Sequence, residues 1–377
     1  MSTEQQPPSS AFGNESAAIV AALPALLVQT KRTESFAGLA AADPVNPLYW
    51  AHEDFELVGI GDAHVFEFHG PSRFTEARNV WQALVARAEV SDELKLSGTG
   101  LVAFTSFAFD DHSQSTSYLI LPQTILGRNQ QTSWQTELQW VETKAGVQSD
   151  FAPLAERNLS ELLTPSRTLS GVHRGQSQFS AEDFKAAVAS STKLIAHGAL
   201  EKVVLARDLV LETHEHPDYR LTLLSLAERY RNCWTFAVRG LIGSSPETLL
   251  ELHRGEFQVR VLAGSAARGD GGDGGERDAE QREALLNSAK NRQEHHFAVE
   301  SALASLAEVV ETLETDETFA LQLPNLWHLA TDIHGKLDEH TSPIDVIAAL
   351  HPTAAVAGTP TPDALELIRT LEPFDRG

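Results

Sequence analysis

The chain has 377 residues, of which 42% are hydrophobic and 21% are charged, a composition typical of a globular protein with a large core. Its 29 Lys and Arg residues against 52 Asp and Glu residues give a net charge of −23, which repels phosphate backbones and argues against a nucleic-acid partner. The single cysteine, Cys233, allows no internal disulfide and is typical of the reducing cytoplasm. The first ten residues do not resemble a signal peptide, and the apolar stretch 17–28 is too short to span a bilayer, so we predict no membrane segment.

Alternating apolar runs and turns predict strands and one helix in the N-terminal half. Residues 1–12 are predicted to be a disordered tail, and 17–28 a core helix or the start of a helix and strand. The predicted strands cover residues 65–70, 100–109 and 115–122. Residues 75–90 predict a helix with Val80, Leu84 and Val85 on one face. This half contains no motif that indicates a chemistry.

A polar segment with Pro and Gly at 160–178 predicts a boundary, and the patterns beyond it are sharper. Ser180 is predicted to cap a helix that stops at Gly198, and Lys202 follows at the edge of an apolar strand that continues through 203–206. The remaining predicted elements are a helix at 221–231, a strand at 234–240, a hairpin at 248–262, a helical stretch at 277–312, a strand at 325–337 and a helix at 344–351. This mixed order favours an α+β fold.

Lys202 has two interpretations. A lysine on a covered strand can extend its amine to water, or the amine can stay buried and act as a base. The second role requires its pKa to fall from about 10.4 to about 7–8, and burial produces shifts of that size.

Two glutamates and one glycine-rich loop are further candidates. Pro246 makes a rigid turn that would aim Glu247, but from the local sequence alone a solvated glutamate at the start of a strand is the favoured interpretation. Glu294 could share Mg²⁺ with a substrate carboxylate, or be solvated; zinc is not predicted because the H-E-x-x-H spacing is absent. The loop 269–275 lacks the phosphate-binding motifs and contains two aspartates, so it predicts a surface loop.

Several stretches of the second half together resemble the chorismate-binding enzymes, in that family's order and roughly its spacing. They are LEKVVLARD (200–208), IGSSPETLL (242–250), VLAGSAARG (261–269), SAKNRQEHHF (288–297), LWHLATDIHG (326–335), HPTAAVAG (351–358) and LEPFDRG (371–377). Within the family the chain is most similar to isochorismate synthases, which use water and Mg²⁺ to move the hydroxyl of chorismate from one ring carbon to another.

The resemblance implies a role for each matching position. Lys202 corresponds to the lysine that activates water, Glu247 to the acid that protonates the departing hydroxyl, and Glu294 to a Mg²⁺ ligand. The positions that correspond to substrate-binding residues are Gly264, Ser265, His328, Thr353 and Ala354. A base and an acid on separate sides of the ring suit the reaction, and Mg²⁺ would neutralise the ring carboxylate.

Two positions rank the activities within the family. The anthranilate-forming branch has a glutamine at the position of Lys202 and uses ammonia, whereas lysine favours water. The aminodeoxychorismate branch has a covalently attacking lysine at the position of Ala263, where salicylate synthases more often have threonine. Isochorismate synthase is therefore the first hypothesis, salicylate synthase the second and anthranilate- or aminodeoxychorismate-type amination the third.

The chain departs from the family pattern at two places. Asn291 replaces the usual aspartate one turn before Glu294, which could weaken the surroundings of the metal. Similar proteins continue past EPFDRG with strands that carry a substrate-binding arginine and a second Mg²⁺-binding glutamate. We therefore expect the chain ending at Gly377 to fold poorly or to have little activity, and a truncated, inactive chorismate-binding remnant is the non-catalytic alternative.

The resemblance also implies the architecture. We expect large, mixed and mostly antiparallel β-sheets packed together, with helices outside. The predicted regions are the tail 1–12, an α+β half at 13–170 that completes the fold, and a catalytic region at 171–377. Chorismate is the implied small-molecule partner, Mg²⁺ the implied cofactor and a monomer the implied state; both menaquinone and siderophore pathways stay open.

Overall fold

The computed structural model describes residues 23–141, 171–268, 275–338 and 340–377. Contacts divide the chain into two units. Unit 1 is Met1–Ser166 with Ala237–Leu241, and unit 2 is Arg167–Phe236 with Ile242–Gly377. The predicted tail at 1–12 and nearly all of the glycine-rich loop lie outside the described residues, and the predicted domain limits stay predictions.

A mostly antiparallel sheet is the main feature of unit 1. Its strands are β1 (Ala25–Thr33), β2 (Leu48–His52), β3 (Phe55–Phe68), β4 (Ala88–Asp92), β5 (Phe104–Ser106), β6 (Ser117–Arg128) and β7 (Ser133–Val141). They lie in the order β2-β3-β6-β7-β1-β4, and β5 pairs with β6. The pair β1–β4 is parallel, whereas β1–β7, β2–β3, β3–β6, β5–β6 and β6–β7 are antiparallel. The apolar side chains of β1 and β6 are buried and supply much of the core.

The predicted helix of unit 1 is confirmed with shifted limits. Helix α1 covers Arg73–Arg87 and buries Val80 and Leu84. The helix ends before the predicted limit at residue 90, because β4 begins at Ala88. Val85 is 53% exposed and lies outside the face that buries Val80 and Leu84. The predicted strand at 100–109 shrinks to β5, and the described part of the 17–28 stretch enters β1.

Unit 2 is built on a second antiparallel sheet. Its principal strands are β13 (Thr248–His253), β14 (Glu256–Ala267), β15 (Thr312–Thr315), β16 (Phe319–Gln322) and β17 (Leu326–Lys336). Their order is β13-β14-β17-β15, with β16 also paired to β17. Short strands form the pairs β8 (His173–Arg174) with β10 (Leu211–Glu212) and β9 (Lys202–Val203) with β18 (Gly358–Thr359); β11 (Trp234–Val238) and β12 (Leu241–Ser245) complete the described strands.

Six described helices belong to unit 2. They are α2 (Ala181–Ala196), α3 (Tyr219–Arg229), α4 (Glu276–Asn287), α5 (Ala289–Leu306), α6 (Pro343–Leu350) and α7 (Thr361–Leu371). Helix α5 packs its small residues Ala298 and Ala302 against Val259 and Val261 of β14, so that helix and sheet share one apolar core. The predicted cap at Ser180 is confirmed, because its hydroxyl accepts a hydrogen bond from the Asp183 amide at 3.1 Å.

Two predictions for unit 2 were wrong in extent. The stretch 277–312 is not one helix: it breaks at Ser288, whose hydroxyl caps α5, and it ends in β15. The apolar run after Lys202 is not a full strand, since only Lys202 and Val203 pair. The predicted α+β class with mostly antiparallel sheets is confirmed. Across the described residues, no helix has the length and hydropathy needed to cross a membrane.

Candidate active site

Lys202 lies on the two-residue strand β9, opposite Thr359 of β18. Backbone hydrogen bonds on either side fix this segment: the Glu201 amide donates to the Thr359 carbonyl and the Val204 amide to the Ala357 carbonyl, both at 2.9 Å. The Lys202 side chain is only 11% exposed, and its Nζ lies 3.6 Å from Oε1 of Glu294. The amine therefore does not extend into bulk water.

Burial lowers the pKa of Lys202 because a desolvated ammonium is disfavoured. The carboxylates of Glu294 and Glu247 oppose that shift by stabilising the charged amine. The direction of the shift is the one that a lysine base needs.

Glu247 lies between β12 and β13, directly after Pro246. Its amide donates to the Ser245 hydroxyl at 3.2 Å, which holds the turn that aims the side chain. Burial raises the pKa of Glu247 to about 7, and the positive charge of Lys202 opposes the rise. Near neutral pH this carboxyl can therefore hold a proton and donate it, as a general acid must.

Glu294 lies in the second turn of α5. The buried side of this helix carries His295 and Ala298, while the Glu294 side chain is 38% exposed and faces Lys202. No group of three or more His, Cys, Asp and Glu side chains within the described ranges is arranged to hold a metal ion. A single accessible carboxylate still fits Mg²⁺, because this ion is usually held by one or two carboxylates together with oxygens of the substrate and water.

Gly264 interrupts the ladder between β14 and β17. It has φ +79°, and the register shifts between Leu262 and Ser265. A Cβ added at Gly264 would lie 3.1 Å from both Cβ and the carbonyl oxygen of Asn291, so the close approach of α5 requires glycine here. Asn291 thus packs against the predicted substrate loop.

His328 lies opposite Ser265 on β17. Its Nδ1 donates to the Gly264 carbonyl at 3.3 Å, and burial lowers the pKa of His328. The ring is therefore a neutral imidazole near neutral pH, with Nε2 as its acceptor nitrogen.

Thr353 and Ala354 form a turn after α6. The Thr353 carbonyl accepts hydrogen bonds from the amides of Val356 at 3.1 Å and Ala357 at 2.9 Å, and Ala354 is buried. Both residues line a cavity of ≈ 120 Å³ together with Glu247.

The predicted site residues thus fall into three local groups. Lys202, Glu247 and Glu294 interact electrostatically, and Glu247 shares a cavity with Thr353 and Ala354. Gly264, Ser265 and His328 form the third group. The described contacts do not join this last group directly to Lys202; the link is α5, which brings Asn291 to Gly264 and, one turn later, Glu294 to Lys202.

His295 is a site residue to which sequence reasoning gave no role beyond excluding zinc. It is 3% exposed, its Nε2 lies 2.8 Å from the Thr331 hydroxyl, and burial lowers its pKa to about 4. The nearby Lys202 charge lowers this pKa further. An uncharged His295 behind Glu294 adds no positive charge beside the lysine amine. Only the helical phase relative to Ala298 and Ala302 could have indicated its burial.

Comparisons with known proteins agree on one family. The family model described as chorismate binding enzyme matches residues 17–377. The salicylate biosynthesis isochorismate synthase of Pseudomonas aeruginosa is 31% identical over 352 residues, which cover 88% of this chain and 71% of that protein. The isochorismate synthase DhbC of Bacillus subtilis is 37% identical over 209 residues, which cover 52% of each chain. The chain therefore spans about half the length of DhbC and 71% of the Pseudomonas protein.

A solved structure has the same fold. The menaquinone-specific isochorismate synthase MenF of Escherichia coli superposes with a TM-score of 0.71, covering 97% of this chain and 84% of that one at 23% identity.

Proposed function

The chain belongs to the family of chorismate-binding enzymes, and from this membership we propose that it acts as an isochorismate synthase, an isomerase that converts chorismate to isochorismate. The observation that carries this proposal is the pairing of a half-buried lysine with a half-buried glutamate whose pKa values desolvation shifts in opposite directions. Lys202 is moved towards the neutral amine and Glu247 towards the protonated acid. Related proteins named isochorismate synthase support the assignment.

In the proposed reaction, the neutral Lys202 amine removes a proton from a water molecule. The water oxygen bonds to one ring carbon, the ring double bonds shift, and the bond from another ring carbon to its hydroxyl breaks. Glu247 donates its proton to that hydroxyl, which leaves as water. One water enters and one leaves, so the reaction is an isomerisation; Lys202 ends protonated and Glu247 ionised, and proton exchange with solvent restores both.

Mg²⁺ is the proposed cofactor and Glu294 its proposed ligand. When bound, the ion would neutralise the ring carboxylate of the substrate and fix its position. The remaining contacts fall to residues of this chain: Gly264 and Ser265 would present backbone groups to the substrate, neutral His328 would lie near its carboxylate, and Thr353 and Ala354 would form the turn beneath it. We propose further that the enzyme works as a monomer in the cytoplasm.

Product analysis tests this function. The protein is incubated with chorismate and Mg²⁺, with chelator in a parallel sample, and the products are separated by liquid chromatography. We expect isochorismate in the presence of Mg²⁺. Salicylate or, with ammonium present, anthranilate as the main product would overturn the assignment, and the absence of any product would favour the inactive chorismate-binding remnant.

A lysine variant links the activity to the proposed site. Lys202→Met is expected to lower kcat by about 10²–10⁴-fold, the usual contribution of a general base. Lys193→Met is the matched control, because Lys193 lies exposed on α2. Equal activities of the two variants would remove Lys202 from the mechanism.

A further inference from the structure

The segment that carries Lys202 has little sheet pairing of its own. Beyond Val203 the chain runs through residues 204–210 without strand structure, although Lys202 needs a fixed position to act as a base. An ion pair in the C-terminal segment supplies hydrogen bonds to this backbone in place of the missing strand partners. Glu372 is 7% exposed, and it is bonded through both carboxylate oxygens to the guanidinium of Arg376, with Nε to Oε2 at 2.7 Å.

Both members of this pair also bond to backbone near the site. Oε1 of Glu372 accepts from the Ala206 amide at 2.6 Å. Nη2 of Arg376 donates to the Val204 carbonyl at 2.7 Å, and Nη1 donates to the Val356 carbonyl at 2.9 Å. Val204 is two residues from Lys202, and Val356 belongs to the turn that starts at Thr353. One guanidinium therefore spans the lysine segment and the proposed substrate turn.

We propose that Glu372 and Arg376 are positioning residues for the reaction: their ion pair holds the backbone on both sides of the site and thereby sets the place of the Lys202 amine. This inference rests on the proposed function of Lys202 as base. A guanidinium suits the task because its planar fork bonds both oxygens of one carboxylate and two carbonyls, four acceptors in all, whereas an ammonium has only three donor hydrogens. Neither residue touches the reacting atoms in this assignment.

The experiment compares Arg376→Lys and Glu372→Gln with controls on the adjacent helix. Arg369→Lys and Glu366→Gln repeat the same substitutions at positions of α7 outside this ion pair. In the full chain, steady-state kinetics with chorismate are expected to show kcat lowered about tenfold or more by either test variant, with a smaller change in KM, because a small misplacement of a reacting group affects chemistry more than binding. The two control variants should have the kcat and KM of the wild-type protein.

A second measurement does not depend on turnover. The rate at which an amine reagent modifies Lys202 at one fixed pH is measured by mass spectrometry, with exposed Lys193 in the same sample as reference. Both test variants are expected to raise the Lys202 rate several-fold relative to Lys193, since the amine is no longer held in its buried place. Circular dichroism establishes that each variant is folded; if Arg376→Lys does not fold, Glu372→Gln carries the test.

The outcomes separate the two proposals. A folded test variant with the same kcat and the same Lys202 modification rate as its control overturns the positioning role. A lowered kcat accompanied by an unchanged modification rate overturns it as well, because the lysine has then not moved. Altered modification in a protein that forms no isochorismate would support the positioning role while the proposed isochorismate synthase activity fails.

Discussion

Two glutamates whose pKa is raised by desolvation, one in each unit, have different surroundings. Glu56 of unit 1 lies directly opposite Arg128 across β3 and β6, and their side chains form an ion pair of 2.7 Å. Burial raises the pKa of Glu56, but Arg128, the Tyr49 hydroxyl and the Leu39 backbone all oppose the rise. Glu247 of unit 2 has no direct ion pair within the described part of the chain, and the opposing charge comes from the more distant Lys202.

The presence or absence of a direct ionic partner distinguishes a structural carboxylate from a candidate catalytic one. A buried carboxyl with direct ionic and hydrogen-bond partners is compensated within the fold, because those partners oppose the rise in pKa that burial causes. A buried carboxyl without a direct partner reaches a pKa of about 7, at which it can gain and lose a proton during turnover.

The largest expected effect is on catalysis at Glu247. Glu247→Gln keeps the size of the side chain but removes its acidic proton, so kcat is expected to fall by about 10²–10⁴-fold. In the wild-type protein the rate should also fall as the pH rises through about 7, because Glu247 loses the proton it must donate. The measurement is a pH–rate profile of isochorismate formation. If the rate of Glu247→Gln still falls as the pH rises through about 7, another group causes that fall.

The second prediction is that Glu247→Gln, which lowers kcat, raises the free energy of unfolding. Folding raises the pKa of Glu247 from 4.5 to about 7, so between these pH values the folded protein keeps a proton that the unfolded chain has lost, and stability falls as the pH rises from about 4.5 to about 7. Glu247→Gln should therefore be more stable than the wild-type protein at pH 8, by at most about 3 kcal/mol, and nearly equal to it at pH 4. The free energy of unfolding, measured with urea at both pH values, tests this prediction, and Glu366→Gln is the control. If Glu247→Gln is less stable than the wild-type protein at pH 8, the Glu247 carboxylate is compensated within the fold as that of Glu56 is.

In unit 1, removal of Arg128, the ionic partner of Glu56, should lower the stability of the protein without changing its activity. Arg128→Met leaves the Glu56 carboxylate buried without its ion pair, which we expect to destabilise the protein by about 1–3 kcal/mol at pH 8. The pKa of Glu56 rises further without Arg128, so the loss should shrink as the pH falls and the carboxyl is protonated. The kinetic constants should not change. Loss of activity in a folded Arg128→Met variant would mean that unit 1 takes part in the chemistry.

The smallest expected effect compares two glycines with positive φ. Gly264 has φ +79° beside Asn291, and Gly255 has φ +86° with no atom within 4 Å of the position that a Cβ would take. Each substitution by alanine should cost about 1–2 kcal/mol of backbone strain. Only Gly264→Ala should also raise KM for chorismate, because its Cβ pushes against the helix that carries Glu294. Equal KM values for the two variants would separate Gly264 from the substrate site.

Local signals predicted much of the fold. Ser180 begins a helix because a hydroxyl can bond the free amides of the first turn, and that pattern needs only adjacent residues. Predictions failed where long-range pairing decides. The apolar run after Lys202 has the composition of a strand, yet only two of its residues find a partner, and the backbone beyond them is bonded by Glu372 and Arg376.

The order of residues along the chain established which groups are available for chemistry: a lysine after a helix, a glutamate after a proline and a glutamate on a helix, in an order that resembles one family. The tertiary structure alone decided their state. Lys202 and Glu294 lie 92 positions apart in the chain but 3.6 Å apart in space, and Glu247 is desolvated by elements that no local pattern connects. Burial and distant charges set a pKa, and both depend on how the chain packs and not on which residues are neighbours in sequence.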